Sequence, residues 1–160
     1  MVDRDGNVWT ANFLGGVNRL SEVPIKSFIY RNLKDQGMLP TAGLRSIIQD
    51  SRGGIWFNSY EGVNQFVDGQ FNSYTYNAQQ RESSGSLSAS RPFDVFEDSQ
   101  GRIWVGNLSS GVDYIQNGQV TQFIYDPEDP NGIPGSQVCT IEEGPDGSIW
   151  MGFVTDGLAR

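Results

Sequence analysis

The chain has 160 residues, of which 37% are hydrophobic and 19% charged, and this composition predicts a folded, turn-rich domain with a buried core. Its net charge of −8 argues against a general nucleic-acid binder or anionic-membrane binder, because both need a basic surface. No apolar stretch is long enough to predict a membrane span, and the N-terminal residues lack the apolar core of a signal peptide, so no membrane contact is expected.

A short pattern of turn residues followed by tryptophan occurs four times along the chain. Its copies read DRDGNVW, DSRGGIW, DSQGRIW and GPDGSIW. The tryptophans Trp9, Trp56, Trp104 and Trp150 are 47, 48 and 46 residues apart. Each is followed by a glycine paired with valine or leucine. A fixed period of this length indicates a stacked or radial array of structural repeats.

One repeat unit predicts four antiparallel strands. In the third unit these are residues 93–97, 103–105, 111–115 and 120–125, with Asn117-Gly118 as a hairpin turn between the last two. No segment has a helical period. The sequence therefore predicts an all-β fold made of β-propeller blades, arranged as an open partial propeller. The predicted blades are residues 1–31 (mostly the second to fourth strands), 44–76, 93–125 and the truncated 138–160.

The pattern Asp-x-x-Gly-x-Ile-Trp-x-Gly, followed by Gly-Val/Leu-Asn-x-Leu and a Phe-x-x-Tyr strand, resembles the two-component-regulator propeller repeat. In that family such repeats form the sensory region of bacterial hybrid histidine kinases, typically on the periplasmic side, and many members regulate polysaccharide use. The resemblance implies a ligand-sensing propeller, periplasmic or extracytoplasmic, with an oligosaccharide ligand. About three blades fall short of the four to eight of a closed propeller, so neighbouring blades of a longer protein are expected, and a homodimer is a further expectation.

The repeated phrase itself has a structural interpretation. Each glycine allows a tight turn, and the aspartates Asp3, Asp50 and Asp98 are placed to accept hydrogen bonds from turn N–H groups. A calcium loop starting at Asp3 and Asp5 is the alternative, but two of the four copies lack the second carboxylate. No metal or other cofactor is therefore expected. The tryptophans are predicted to fill the space between blades rather than to stack on sugars, and Cys139 is predicted to be a buried small hydrophobic residue.

Residues that differ between the repeats are the candidates for ligand binding. The long connections, residues 31–43, 77–92 and 126–137, and the tips between the second and third strands are expected to lie at one face of the propeller. Residues 79–90, rich in Ser and Gln, are predicted to be mobile. Amides, aromatic rings and arginines at this face suit a carbohydrate. The candidate ligand-binding residues are Asn12, Phe13, Arg45, Asn58, Tyr60, Arg91, Asn107 and Phe153.

Two other classes of function stay open from the sequence. A similar propeller occurs in the streptogramin lyases, whose chemistry relies on an acid-base histidine. This chain has no histidine, so no catalytic residue is assigned and any such residue would lie in other blades. A protein-interaction scaffold would use the long loops equally well.

Overall fold

The computed structural model describes residues 1–12, 16–20, 26–28, 43–80 and 85–160. These residues form strands, turns and one short 3₁₀ helix, Ala78–Gln80, and contain no α-helix. None of their helical segments is long and apolar enough to cross a membrane. The strands are β1 (Val8–Asn12), β2 (Gly16–Leu20), β3 (Lys26–Phe28), β4 (Ile47–Gln49), β5 (Ile55–Asn58), β6 (Gly62–Val67), β7 (Gln70–Thr75), β8 (Pro92–Glu97), β9 (Ile103–Asn107), β10 (Gly111–Gln116), β11 (Gln119–Ile124), β12 (Val138–Glu143), β13 (Ile149–Phe153) and β14 (Leu158–Ala159).

These strands make four antiparallel meander sheets in which each strand pairs with the next one along the chain. The sheets are β1-β2-β3, β4-β5-β6-β7, β8-β9-β10-β11 and β12-β13-β14, which we call blades one to four. Strand β8 contacts β4 and β5 of blade two and β12 of blade four, so the first strands of successive blades are neighbours. The arrangement confirms the predicted all-β fold of propeller blades.

Three apolar cores fill the spaces between successive blades. Trp56 of blade two packs with Val95 and Ile103 of blade three, and Trp104 of blade three packs with Val138 and Ile141 of blade four. Trp9 occupies the same place between blades one and two. The packing role predicted for these three tryptophans is confirmed. Trp150 differs, since 37% of its surface is exposed.

The repeated aspartate joins the tight turn to the tryptophan. In blade three, Oδ1 of Asp98 accepts hydrogen bonds from the backbone N–H groups of Gln100 and Arg102, at 2.9 Å each, and Oδ2 accepts one from the indole Nε1 of Trp104 at 2.7 Å. Asp3 and Asp50 make the same set of bonds in blades one and two. The fourth copy has Gly144 at this position and so lacks the carboxylate. The turn thus engages the Asp3 carboxylate, with which the alternative calcium loop would begin.

A second set of hydrogen bonds joins each turn to the next blade. Glu97, at the end of β8, accepts bonds from the backbone N and the Oγ of Ser51 in blade two, at 2.6 and 2.7 Å. Glu143, at the end of β12, holds Ser99 of blade three in the same way, at 2.7 and 2.6 Å. We call each serine-glutamate pair a clasp. Pro145 follows Gly144 in the fourth copy, and a proline can supply neither donor.

The third strand of a blade begins with a glycine because a side chain would not fit there. Gly111 has φ of 122°, and an added Cβ would press against the backbone carbonyl oxygen of Phe123 in β11. Gly118, in the hairpin turn, has φ of 78° but open space around it. Both positions disfavour a side chain because of their left-handed backbone, and only Gly111 also lacks room.

Replacing Gly111 with alanine is expected to lower the free energy of unfolding by about 1 to 3 kcal/mol more than Gly118→Ala does, because overpacking adds to the backbone strain. Urea-induced unfolding of the two variants measures the difference. Equal losses would show that β11 moves aside at little cost.

The connection between blades two and three departs from the prediction for residues 79–90. Ser86, Leu87, Ser88 and Ala89 are buried, and Leu87 lies in the core with Trp56 and Val95. The Nε2 of Gln122 in β11 donates to the carbonyl oxygen of Ser86 at 2.8 Å. The prediction of mobility is therefore wrong for residues 86–89, because one apolar side chain anchors this polar segment between the sheets. Residues 81–84 lie outside the described residues.

Cys139 is only half-buried. Its Sγ donates to the carbonyl oxygen of Gly152 at 3.3 Å. Cys139 is therefore less buried than the sequence predicts.

Candidate functional site at the long-loop face

The tips between the second and third strands lie against the long connections. The backbone N of Arg91 donates to the carbonyl oxygen of Tyr60 at 3.1 Å, and the backbone N of Val154 donates to that of Gln137 at 3.0 Å. These contacts place tips and connections together, as the meander topology predicts, and we call this side the long-loop face. The aspartate turns and hairpin turns form the opposite, tight-turn face.

Four residues at the long-loop face form an arginine-aromatic surface: Arg45, Tyr60, Arg91 and Phe93. The Cζ of Arg45 lies 5.7 Å from the ring centroid of Tyr60 and 5.1 Å from that of Phe93, and the Cζ of Arg91 lies 5.9 Å from the Tyr60 ring. These distances fall within the range of cation-π contacts. Both arginines are exposed, and Phe93 leaves 38% of its surface in solvent. The surface therefore offers aromatic faces and charged donors side by side.

Backbone contacts hold this surface in place. Oδ1 of Asn58 accepts hydrogen bonds from the backbone N of Arg45 at 3.1 Å and of Ser46 at 2.8 Å, which fixes the chain just before β4. Gly43 lies so close to the Tyr60 ring that an added Cβ would come within 2.5 Å of two ring carbons, nearer than non-bonded atoms can approach. The Tyr60 ring is thus packed on one side by main chain.

The predicted site residues fall into three groups. Arg45, Tyr60 and Arg91 come together as described above. Asn58, Asn107 and Phe153 are buried: the two amides are fully covered, and Phe153 lies in the core with Val138. Their side chains hold the frame and are not at the surface. Phe13 and the side chain of Asn12 lie outside the described residues.

Phe93 was missed by sequence reasoning. The sequence predicts only that it begins the first strand of the third unit, residues 93–97. The available signal was its position two residues after Arg91, at the start of the first strand of a blade, where a side chain reaches the long-loop face.

A buried polar network lies beneath the tips of blade three. Oδ2 of Asp113, in β10, accepts hydrogen bonds from the backbone N of Ser88 at 3.0 Å and from Nδ2 of Asn107 at 3.1 Å. Within the described residues, Oδ1 of Asp113 and Oδ1 of Asn107 are buried without a partner. Burial raises the pKa of Asp113 above its ordinary value, although the bonds from Ser88 and Asn107 act in the opposite direction.

The tight-turn face carries a groove between blades one and two and another between blades two and three. The groove between blades one and two has a volume of about 240 Å³ and that between blades two and three about 280 Å³, and the repeated aspartate and tryptophan line both. A third cavity of about 450 Å³ lies beside Phe123, Ile133 and Met151. In the part of the chain that the structure describes, no group of His, Cys, Asp and Glu residues is placed to hold a metal ion.

Residues 86–109 match the family model for the two component regulator propeller. The likeness to this family is thus shown for one segment of the chain. The matched segment includes Leu87, the strand β8, the Asp98 turn and Trp104, so the family pattern coincides with the packing unit between blades two and three. No curated protein matches the chain.

Solved structures share the propeller fold. The extracellular domain of a hybrid two component system from B. thetaiotaomicron is 22% identical with a TM-score of 0.82, covering 99% of this chain and 22% of that one. A catalytically inactive virginiamycin B lyase from Staphylococcus aureus, with quinupristin, is 21% identical with a TM-score of 0.68, covering 99% and 53%. PorZ, a surface component of the type-IX secretion system of Porphyromonas gingivalis, is 14% identical with a TM-score of 0.61, covering 95% and 22%. The chain thus spans between about a fifth and a half of these proteins.

Proposed function

We propose that the chain is part of a non-catalytic, extracytoplasmic ligand-sensing propeller that binds a carbohydrate at the arginine-aromatic surface. The observation that carries the proposal is the placing of Tyr60 and Phe93 beside two arginines at the face where the repeats differ. Sugars present C–H faces that stack on aromatic rings and hydroxyl groups that accept hydrogen bonds from guanidinium groups.

The related folds support the sensing role. The similar domain from B. thetaiotaomicron is the extracellular part of a hybrid two component system, and the matched repeat belongs to the same class of regulator. The proposal therefore includes periplasmic or other extracytoplasmic placement, neighbouring propeller blades as partners, and homodimer formation.

A lyase is the second candidate function, because virginiamycin B lyase has the same fold. The chain contains no histidine, and in the inactive lyase with quinupristin one histidine is replaced by alanine. A sensor needs no such residue, so the sensing role is preferred for this chain. A scaffold that binds another protein would use the same face.

Replacing Tyr60 with alanine is expected to weaken saccharide binding about five- to thirtyfold, because a stacking ring contributes on the order of 1 to 2 kcal/mol. Binding is measured on a glycan array and then by calorimetry with the best oligosaccharide. Tyr125→Ala is the control, since Tyr125 is exposed and lies outside the arginine-aromatic surface, whereas Tyr60 is half-buried within it. An unaltered affinity of the Tyr60 variant would place the site elsewhere, and a chain that binds no saccharide but captures a protein would favour the scaffold.

A further inference from the structure

The arginines of the arginine-aromatic surface differ from the other arginines that lie over aromatic rings. Arg102 lies over Trp104 and Arg160 over Trp150, and each forms an ion pair, with Asp98 and Asp146 respectively. Among the residues that the structure describes, neither Arg45 nor Arg91 forms an ion pair. Two guanidinium groups therefore meet one tyrosine ring, and no carboxylate of the described residues forms an ion pair with either of them.

The acidic residues nearest in sequence do not supply that carboxylate. Asp94 uses one oxygen to accept a bond from Oγ of Ser46 at 3.2 Å and the other to accept one from the backbone N of Ile141 at 3.0 Å. Glu61 is exposed beside Tyr60 and forms no ion pair with either arginine within the described chain. A local positive site thus remains in a protein whose net charge is −8.

The backbone at Arg91 gives an independent indication. Its φ is 62°, in the left-handed region, where the other described residues that are not glycine are Asp68 and Asn117, both in hairpin turns. Aspartate and asparagine tolerate this conformation, whereas for arginine it costs about 1 kcal/mol or more. Such strain is typical of positions that serve a ligand site. Glycine would relieve it, but glycine would remove the guanidinium group from Tyr60.

We infer that the arginine-aromatic surface binds an acidic saccharide, with a carboxylate or sulfate group held by Arg45 and Arg91 and a sugar face against Tyr60 or Phe93. This inference rests on the proposed function and narrows it to a ligand class. A planar guanidinium group binds carboxylate and sulfate oxygens through paired, charge-assisted hydrogen bonds. Neutral sugars would leave both charges without a counterion.

The test uses an array that carries matched uronic-acid, sulfated and neutral oligosaccharides, followed by calorimetry on the best acidic oligosaccharide and its neutral counterpart. We expect binding to the acidic members only, and a loss of affinity when sodium chloride is raised, because salt screens exposed charges. The relative signals of the uronate and sulfate members show which group the arginines hold. Inorganic sulfate alone should compete weakly, since it lacks the sugar face.

Two variants separate binding from stability. Arg45→Gln is expected to weaken binding of the acidic oligosaccharide about tenfold, and Arg91→Gly should do the same while its melting temperature stays equal or rises, because the backbone strain is released. Arg52→Gln is the matched control, as an exposed arginine of the tight-turn face, and should bind normally. Preference for neutral saccharides, with binding that still depends on Tyr60, would overturn the inference and leave the proposed function standing. Binding of no saccharide at all would overturn both.

Discussion

Replacing Trp104 with alanine is expected to lower the free energy of unfolding by about 3 to 5 kcal/mol, the range for large-to-small changes in a packed core. Trp104 exposes only 5% of its surface and packs on Val138 and Ile141 of the next blade. Its indole N–H also donates to Asp98. The variant loses both the contacts between two blades and one bond of the turn. Urea-induced unfolding followed by circular dichroism measures the loss.

Trp150→Ala is the matched control for this prediction. Trp150 occupies the same place in the fourth copy of the repeat, but it is more than one-third exposed and Gly144 replaces its aspartate partner. Its removal is expected to lower the free energy of unfolding by about 2 kcal/mol less than Trp104→Ala does, because about a third of the Trp150 side chain is already in solvent. Similar losses for the two variants would contradict the packing role assigned to Trp104.

Replacing Asp113 with asparagine is expected to raise the free energy of unfolding at pH 8 by about 1 to 3 kcal/mol, the cost of leaving a buried polar atom without a partner. Oδ1 of Asp113 and Oδ1 of Asn107 are both buried acceptors without a donor. An asparagine amide supplies an N–H donor and no charge. Asparagine already stands at the equivalent positions Asn18 and Asn64 of blades one and two.

The pH dependence gives the sign of this effect. Burial raises the pKa of Asp113 in the folded chain above the ordinary value of 3.8. The stability that its neutral form contributes is therefore complete below pH 3.8 and is lost as the pH rises through the folded-state pKa. Asp113→Asn should remove that loss, so that the two stability curves converge at low pH and separate at high pH. Curves that stay parallel would show that Asp113 does not titrate in the folded state.

The reverse substitution, Asn64→Asp, is the control for Asp113. Asn64 is buried, donates to Oγ of Ser59 at 3.3 Å and accepts from Oγ of Ser73 at 2.8 Å. An aspartate at position 64 has no N–H to donate to Ser59, and its ionised form places a charge in this buried position. This variant should therefore lose stability as the pH rises. Opposite effects of the two substitutions would establish that the buried charge, not the packing of one blade, sets the pH dependence.

The pKa of Asp98, the turn aspartate of blade three, is shifted in the opposite direction to that of Asp113. Burial alone would raise the pKa of Asp98, but the hydrogen bonds from Trp104 and Arg102 outweigh it and hold the pKa below its ordinary value. Asp98 therefore stabilises the fold above the unfolded-state pKa and loses that contribution as the pH falls through its lowered folded-state value. Asp98 and Asp113 thus contribute opposite pH dependences to the stability of the fold.

Most of the fold could be predicted because the same strand and turn pattern occurs four times in the sequence. The spacing of Trp9, Trp56, Trp104 and Trp150 gave the period, and strand alternation with the Asn117-Gly118 turn gave the sheets. The turn N–H partners of Asp98 were predicted and are confirmed. Its bond from the Trp104 indole and the clasps were not predicted, because hydrogen bonds between a turn and an indole six residues away, or between separate blades, leave no local pattern. The burial of Leu87 was not predicted either, because the serines on both sides of it indicate a solvated loop.

The candidate site was predictable only where topology decides it. Antiparallel meanders bring the tips and the connections to one face, so Arg45, Tyr60 and Arg91 could be grouped from sequence. Whether an amide points inward depends on strand ends and bulges of a single residue, such as the register shift between Pro92 and Asp94. Asn58 and Asn107 turned inward at those ends, and their exposure could not be read from composition.

The clasps limit how two adjacent blades can move relative to each other. At each one, both carboxylate oxygens of a glutamate are held by a single serine of the preceding blade, so sliding along that edge breaks two bonds at once. Rotation about an axis through the serine-glutamate pair would lengthen these bonds less than sliding would, because the axis passes close to both of them. A bulky molecule inserted between the connections at the long-loop face would therefore separate adjacent sheets there, by rotation about the serine-glutamate pairs of the tight-turn face.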